Sequence, residues 1–156
     1  MSQQNGIVEY FKRLEHQHFL ELISYVRALE KDYGSDCMEV LASAKYELTY
    51  KQWAELARSQ EQNGIAKLFE LLWEGAGPLL EYEVLYRDSE EIQLRVTKCF
   101  WADTFREMGA AGIGKTLYCD DEHASASGFN PRIRLTRSKT LMEGDDCCDH
   151  CYLLEE

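Results

Sequence analysis

The sequence predicts an α+β fold in which N-terminal helices pack on a four-stranded antiparallel sheet, and three observations predict it. Apolar residues recur every three or four positions as far as Pro78 and every second position after it. The elements then run helices, hairpin, helices, two strands, an order that suits an antiparallel sheet covered by helices on one face. The 156 residues, 45% of them hydrophobic, suffice for one core and one domain, with a helical part at 1–78 and a sheet and site part at 79–156.

In the first helix Phe11, Leu14, His18, Leu22, Tyr25 and Leu29 form a stripe expected to face inward, and Gly34 ends it. Asp36 and Glu39 have the spacing of a capping box for a second helix that turns Val40, Leu41, Ala44 and Leu48 inward; Tyr50, Trp53, Leu56 and Ala57 continue it or form a short helix of their own. Asn63-Gly64 interrupts the pattern, and Ile65, Leu68, Phe69 and Leu72 form another stripe up to Gly75-Ala76-Gly77-Pro78. Tyr82, Val84 and Tyr86, then Ile92, Leu94 and Val96 across the turn-like Asp88-Ser89, read as a hairpin. Residues 101–108 and 112–126 read as helices, 133–141 as a third strand and 148–154 as a fourth.

Charge narrows the function. Lys and Arg number 17 against 28 Asp and Glu, and a net charge of −11 repels nucleic acid and anionic lipid. No apolar run approaches a membrane span, and the first residues, MSQQNG, have neither a basic start nor an apolar signal core, so a cytoplasmic protein with a small-molecule partner is expected. The six cysteines, at 37, 99, 119, 147, 148 and 151, then read as thiols rather than a disulfide framework.

Gly109 to Thr116 fits G-x-x-x-x-G-K-[ST], the phosphate-cradling loop. Such a loop follows a buried strand, whereas residues 101–108 read as a helix, so a glycine-rich link between helices is expected. After it, Ile113, Leu117 and Ala124 define an inward stripe with Asp120 on it, a carboxylate that must be paired or used, while Cys119 and His123 lie one turn apart. Arg137 shares strand parity with Ile133, Leu135 and Leu141; it points inward to grip a carboxylate, or it snorkels from an edge strand. On the last strand Cys148 and His150 face one way and Asp149 and Cys151 the other, which pairs a nucleophile with a base. Cys148-x-x-Cys151 alone is half a zinc site.

Five segments in order then carry a resemblance: Thr97-Lys98-Cys99, Leu117-Tyr118-Cys119-Asp120, Gly128-Phe129-Asn130-Pro131, Leu135 to Leu141 (LTRSKTL), and Gly144-Asp145-Asp146-Cys147-Cys148-Asp149. Over about residues 95–150 the chain resembles the L-2-amino-thiazoline-4-carboxylic acid hydrolase family. The family's recurring polar residues fall on Cys99, Cys119, Asp120, Asn130, Arg137, Thr140, Asp145, Cys148 and Asp149. His150 and Phe100 stand where the family pattern has an aromatic and a proline, and Cys147 and Cys151 are additions.

The resemblance implies a hydrolase that opens a small carboxylate-bearing heterocycle at a C–S or C–N bond. Cys148, Asp120, Asp149 and Cys119 are the expected catalytic residues: Cys148 as thiolate attacks the amidine-like carbon, and Asp120 or Asp149 manages protons. Arg137, Asn130, Thr140 and Asp145 are the expected substrate-binding residues, with Arg137 on the substrate carboxylate and Asn130 and Thr140 orienting the ring. No metal is required, although zinc through Cys119, Cys148 and Cys99 or His123 would give a second mechanism, in which the metal activates water. The rival from another class is a non-catalytic module that binds a small ligand or metal on the same fold.

Overall fold

The structure is a computed structural model that describes residues 2–155. Helix α1 (Ser2–Tyr33) and helix α2 (Cys37–Arg58) are followed by the short α3 (Ile65–Phe69), which runs into a π-helical turn at Glu70–Glu74. Strands β1 (Leu80–Arg87) and β2 (Glu91–Cys99) form the hairpin, and α4 (Phe100–Glu107) and α5 (Ala111–Gly114) follow it. A second π turn at Lys115–Cys119 leads to α6 (Glu122–Phe129), and β3 (Ile133–Thr136) and β4 (Cys148–Leu154) complete a sheet of order β1-β2-β4-β3. Every pairing is antiparallel, and helices cover one face. The architecture is the expected α+β one.

Period-two patterning sets the sheet. Ile92, Leu94 and Val96 of β2 pair with Tyr152, His150 and Cys148 of β4, so all six side chains enter the covered face. The hairpin turn is held by Asp88, whose Oδ1 accepts the Glu90 and Glu91 N–H groups at 2.8 and 2.7 Å. Strand β3 buries Ile133 and Leu135 but stops at Thr136, short of the expected Leu141. The physical reason is Asp149, whose Oδ1 accepts the N–H groups of Ser138 (2.8 Å) and Lys139 (2.6 Å) and turns the chain off the sheet.

Helix α1 buries a different stripe from the expected one. Phe19, Ile23 and Val26 are inside, Phe19 lying 4.7 Å from Phe105 and 5.2 Å from Tyr118 between ring centres, whereas Leu14 and Tyr25 are exposed. Apolar residues occupy two adjoining faces of this helix, and contact with α4 and the second π turn selects one of them. The Asp36–Glu39 box is also absent: the Asp36 side chain makes no capping bond, and Glu39 N–H goes to the Asp36 carbonyl at 3.2 Å. Gly109 to Thr116 follows helix α4, contains α5 and enters the second π turn, so it lacks the preceding strand of a phosphate loop.

The close approach of α2 and α6 depends on Gly128, where a Cβ would meet the Tyr50 carbonyl oxygen at 2.6 Å and its Cα at 3.0 Å. Gly128→Ala is expected to cost about 1–3 kcal/mol in denaturant unfolding, because backbone on both sides must move. Gly112→Ala, with nothing within 4 Å of the new Cβ, is the control and should be neutral or slightly stabilising. Equal stability of the two variants would contradict this packing.

Candidate functional site

The two π turns shape the site. Each admits an extra residue into a helical turn and shifts the register of the residues after it. The first carries the buried Trp73, and the second carries Leu117 inward with Tyr118 and Cys119 on the rim of the same space. Between them, α2 and the covered face of β2 and β4 lies a cavity of about 300 Å³. The register shift also changes which acids enter it. Asp121 and Glu122 line the cavity, while Asp120, expected on the inward stripe, is bound to Lys115 at 2.5 Å with its side chain 45% exposed.

Arg137 sits inside, its side chain 4% exposed. The inward parity expected of it therefore holds even though β3 has ended. Its Nη1 donates to Glu122 Oε2 and lies 3.1 Å from His150 Nε2; its Nη2 donates to the Cys119 carbonyl at 3.0 Å and stands 3.7 Å from Asp120 Oδ1. His150 Nε2 is 2.9 Å from Glu122 Oε2, and its Nδ1 is buried without a partner. Burial alone would raise the Glu122 pKa, but His150 and Arg137 outweigh it and hold the carboxyl below its ordinary value. Arg137 likewise stays charged, since Glu122 offsets its desolvation. The carboxylate that Arg137 grips is thus the protein's own.

Three thiols stand around this ion pair. Cys99, Cys119 and Cys148 all line the cavity. Burial pushes the Cys99 thiol up to about 12 and raises Cys119 and Cys148 in the same direction. For Cys148 the Leu141 N–H, 3.2 Å from Sγ, and Arg137 pull the other way without overcoming burial. The expected resting thiolate at Cys148 is therefore a thiol, because desolvation outweighs the nearby cation.

The remaining expected residues fasten loops. Asn130 donates to the Asn63 carbonyl and accepts from the Arg132 N–H, each at 3.0 Å. Thr140 caps the short helical turn 141–143 through the Glu143 N–H, and Asp145 accepts the Thr140 N–H at 2.8 Å. Asp149 lies on the opposite sheet face from Cys148, beside a separate depression that also touches Cys151. His123 is not part of the cavity lining, and among the described residues no group of three or more His, Cys, Asp or Glu is arranged to hold a metal ion. Sequence reasoning missed Lys45, Thr49, Trp73, Asp121 and Glu122. The acidic run Asp120-Asp121-Glu122 was the signal for the last two, but a register counted straight through the π turn singles out the wrong member.

The ion pair and the raised thiols each give a measurable outcome. Glu122→Gln leaves Arg137 buried without its anion and should cost about 3–5 kcal/mol. Because the Glu122 pKa is lowered in the fold, its contribution is complete above the ordinary glutamate value and is lost as pH falls through the folded pKa. Unfolding curves from about pH 6 to about pH 3 should therefore be shallower in the variant than in the parent, and parallel curves would contradict the assignment. Separately, iodoacetamide should modify Cys148 at about pH 7 at least about tenfold more slowly than free cysteine, the rate rising past the ordinary thiol value; rapid neutral labelling would contradict a raised pKa.

Among solved structures, the phenol-responsive sensory domain of the transcription activator PoxR with phenol is similar at 14% identity and a TM-score of 0.52, covering 86% of this chain and 73% of that one. Trafficking protein particle complex subunit 3 from Naegleria fowleri, covalently bound to palmitic acid, is similar at 12% identity and a TM-score of 0.52, covering 95% of this chain and 97% of that one. These likenesses show the fold. No curated protein matches the sequence, and among the described residues no helix is long and apolar enough to cross a membrane. The family model of L-2-amino-thiazoline-4-carboxylic acid hydrolase matches residues 12–152. That span takes in every side chain of the cavity, and the chain belongs to this family of ring-opening hydrolases.

Proposed function

We propose that the cavity opens a thiazoline-type ring with Cys148 as the attacking group and His150 as its proton partner. The observation that carries this reading is the placement of Cys148 and His150 on one face of β4, both lining the cavity, beside the ion pair of buried Arg137 and half-buried Glu122. The thiol proton passes to His150 as Sγ bonds to the amidine carbon. Breaking the ring C–S bond then releases a sulfur that takes the proton back. Water adds to the same carbon, its proton leaves through His150, and the Cys148 sulfur departs, which yields a ureido group and the regenerated thiol. The Leu141 N–H, already on Sγ, stabilises negative charge there.

In this mechanism Arg137 and Glu122 position His150 rather than touch the substrate. Asp120 supports Arg137 from the second π turn, and Cys119 lends its carbonyl. Asp149, Thr140 and Asp145 hold the loop between β3 and β4 beside the site, and Asn130 fastens the turn before β3. The other reading, a cavity that holds a ligand without turning it over, is favoured by the raised thiols and differs in its outcome.

Hydrolysis of 2-aminothiazoline-4-carboxylate and a panel of hydantoin and thiazoline acids separates the two. Turnover by the parent should fall about a thousandfold or more in Cys148→Ala while thermal unfolding is little changed, since a buried thiol loses little packing on truncation. Cys151→Ala, on the opposite face, should stay near parental activity. Full activity in Cys148→Ala would remove Cys148 as nucleophile. Stoichiometric metal in the active protein would replace it with metal-activated water, and no turnover of any compound would favour the ligand-holding module.

A further inference from the structure

The proposed chemistry leaves one lining carboxylate unused. Asp121 opens α6 with its backbone carbonyl, which accepts the Ala124 N–H at 3.0 Å, and sends its side chain across to α2. There Oδ2 accepts the Thr49 hydroxyl at 2.7 Å and lies 2.8 Å from Lys45 Nζ. The side chain is 11% exposed, and Oδ1 is buried without any donor. A carboxylate oxygen removed from water and left unpaired is costly, and a ligand N–H delivered to it recovers that cost on binding.

The rest of the lining says what would carry that N–H. Trp53, Trp73 and Trp101 give the cavity flat apolar walls. Lys45 and Arg137 balance Asp121 and Glu122, so neither sign of charge is in excess. We propose that Asp121 is the specificity residue of the cavity, with Oδ1 accepting an N–H of the ligand's amidine or 2-amino group while the ring lies against the tryptophan walls. The proposal rests on the ring-opening reading and deepens it: planar amidines are the substrate class, and the hydrogen bond fixes which carbon meets Cys148. A site built to receive an N–H discriminates sharply against the analogue that lacks it.

Binding tests this without turnover. Benzamidine and benzonitrile, equally flat but only one bearing N–H groups, are titrated into the parent, Asp121→Asn and Thr49→Val by calorimetry. The parent should prefer benzamidine by about tenfold or more, Asp121→Asn should lose most of that preference with benzonitrile unchanged, and Thr49→Val, which keeps the carboxylate, should retain it. Equal affinities in the parent overturn the proposal even if Asp121→Asn fails to fold, and so does an unchanged preference in Asp121→Asn. An Asp121-dependent preference in a parent that hydrolyses no thiazoline supports Asp121 as the amidine acceptor and rejects the hydrolytic reading instead.

Discussion

The site depends on a single desolvated cation. Taking a guanidinium out of water is favourable only when its donors are met, and Arg137 donates to Glu122 on α6 and to the Cys119 carbonyl on the second π turn, while Glu122 in turn accepts from His150 Nε2 on β4. Each partner sits on a different element, so the ion pair fastens the helical layer to the sheet at the edge of the cavity. The same contacts spend the guanidinium. Both terminal nitrogens of Arg137 are engaged by the protein's own groups, and in the proposed chemistry that makes Arg137 an organiser of the site.

Desolvation has a second consequence. The burial that strengthens the Arg137–Glu122 attraction also penalises any other charge, and Cys99, Cys119 and Cys148 are held as neutral thiols. A thiol that is inert at rest and loses its proton only as it attacks avoids adventitious alkylation and oxidation. In the proposed chemistry His150, whose Nδ1 is unpaired, takes that proton. The charges that line the cavity are paired, Lys45 with Asp121 and Arg137 with Glu122, and the unpaired oxygen of Asp121 is the exception.

Strand parity is legible in the sequence for β2, β3 and β4 but not for β1, whose register shifts leave Val84 and Tyr86 exposed, and helix register is not legible. Alternation puts Ile92, Leu94 and Val96, Cys148 and His150, and Arg137 on the covered face, and the structure has them there. In the helical half the pattern misleads wherever the helix is not a plain α-helix: counting across Lys115–Cys119 places Asp120 inward, and the π turn moves Asp121 and Glu122 into that role. The family-like residues divide in the same physical way. Cys99, Cys119, Arg137 and Cys148 reach the cavity, whereas Asn130 fastens the turn before β3 to the Asn63 carbonyl, and Thr140, Asp145 and Asp149 bond to backbone N–H groups in the loop that lets β3 leave the sheet and β4 return to it. A polar residue that fastens a loop and one that faces a ligand leave the same mark in a single sequence.

A double-mutant cycle between Arg137 and Glu122, read by denaturant unfolding, tests the dependence on that cation most directly. Glu122→Leu should be strongly destabilising, because it leaves the buried guanidinium without its anion, Arg137→Met less so, because Glu122 is partly exposed and keeps His150, and the double variant should be more stable than Glu122→Leu, with a coupling of about 2 kcal/mol or more. Additive effects would mean that the two charges do not depend on one another, and the cavity would need a different organising interaction.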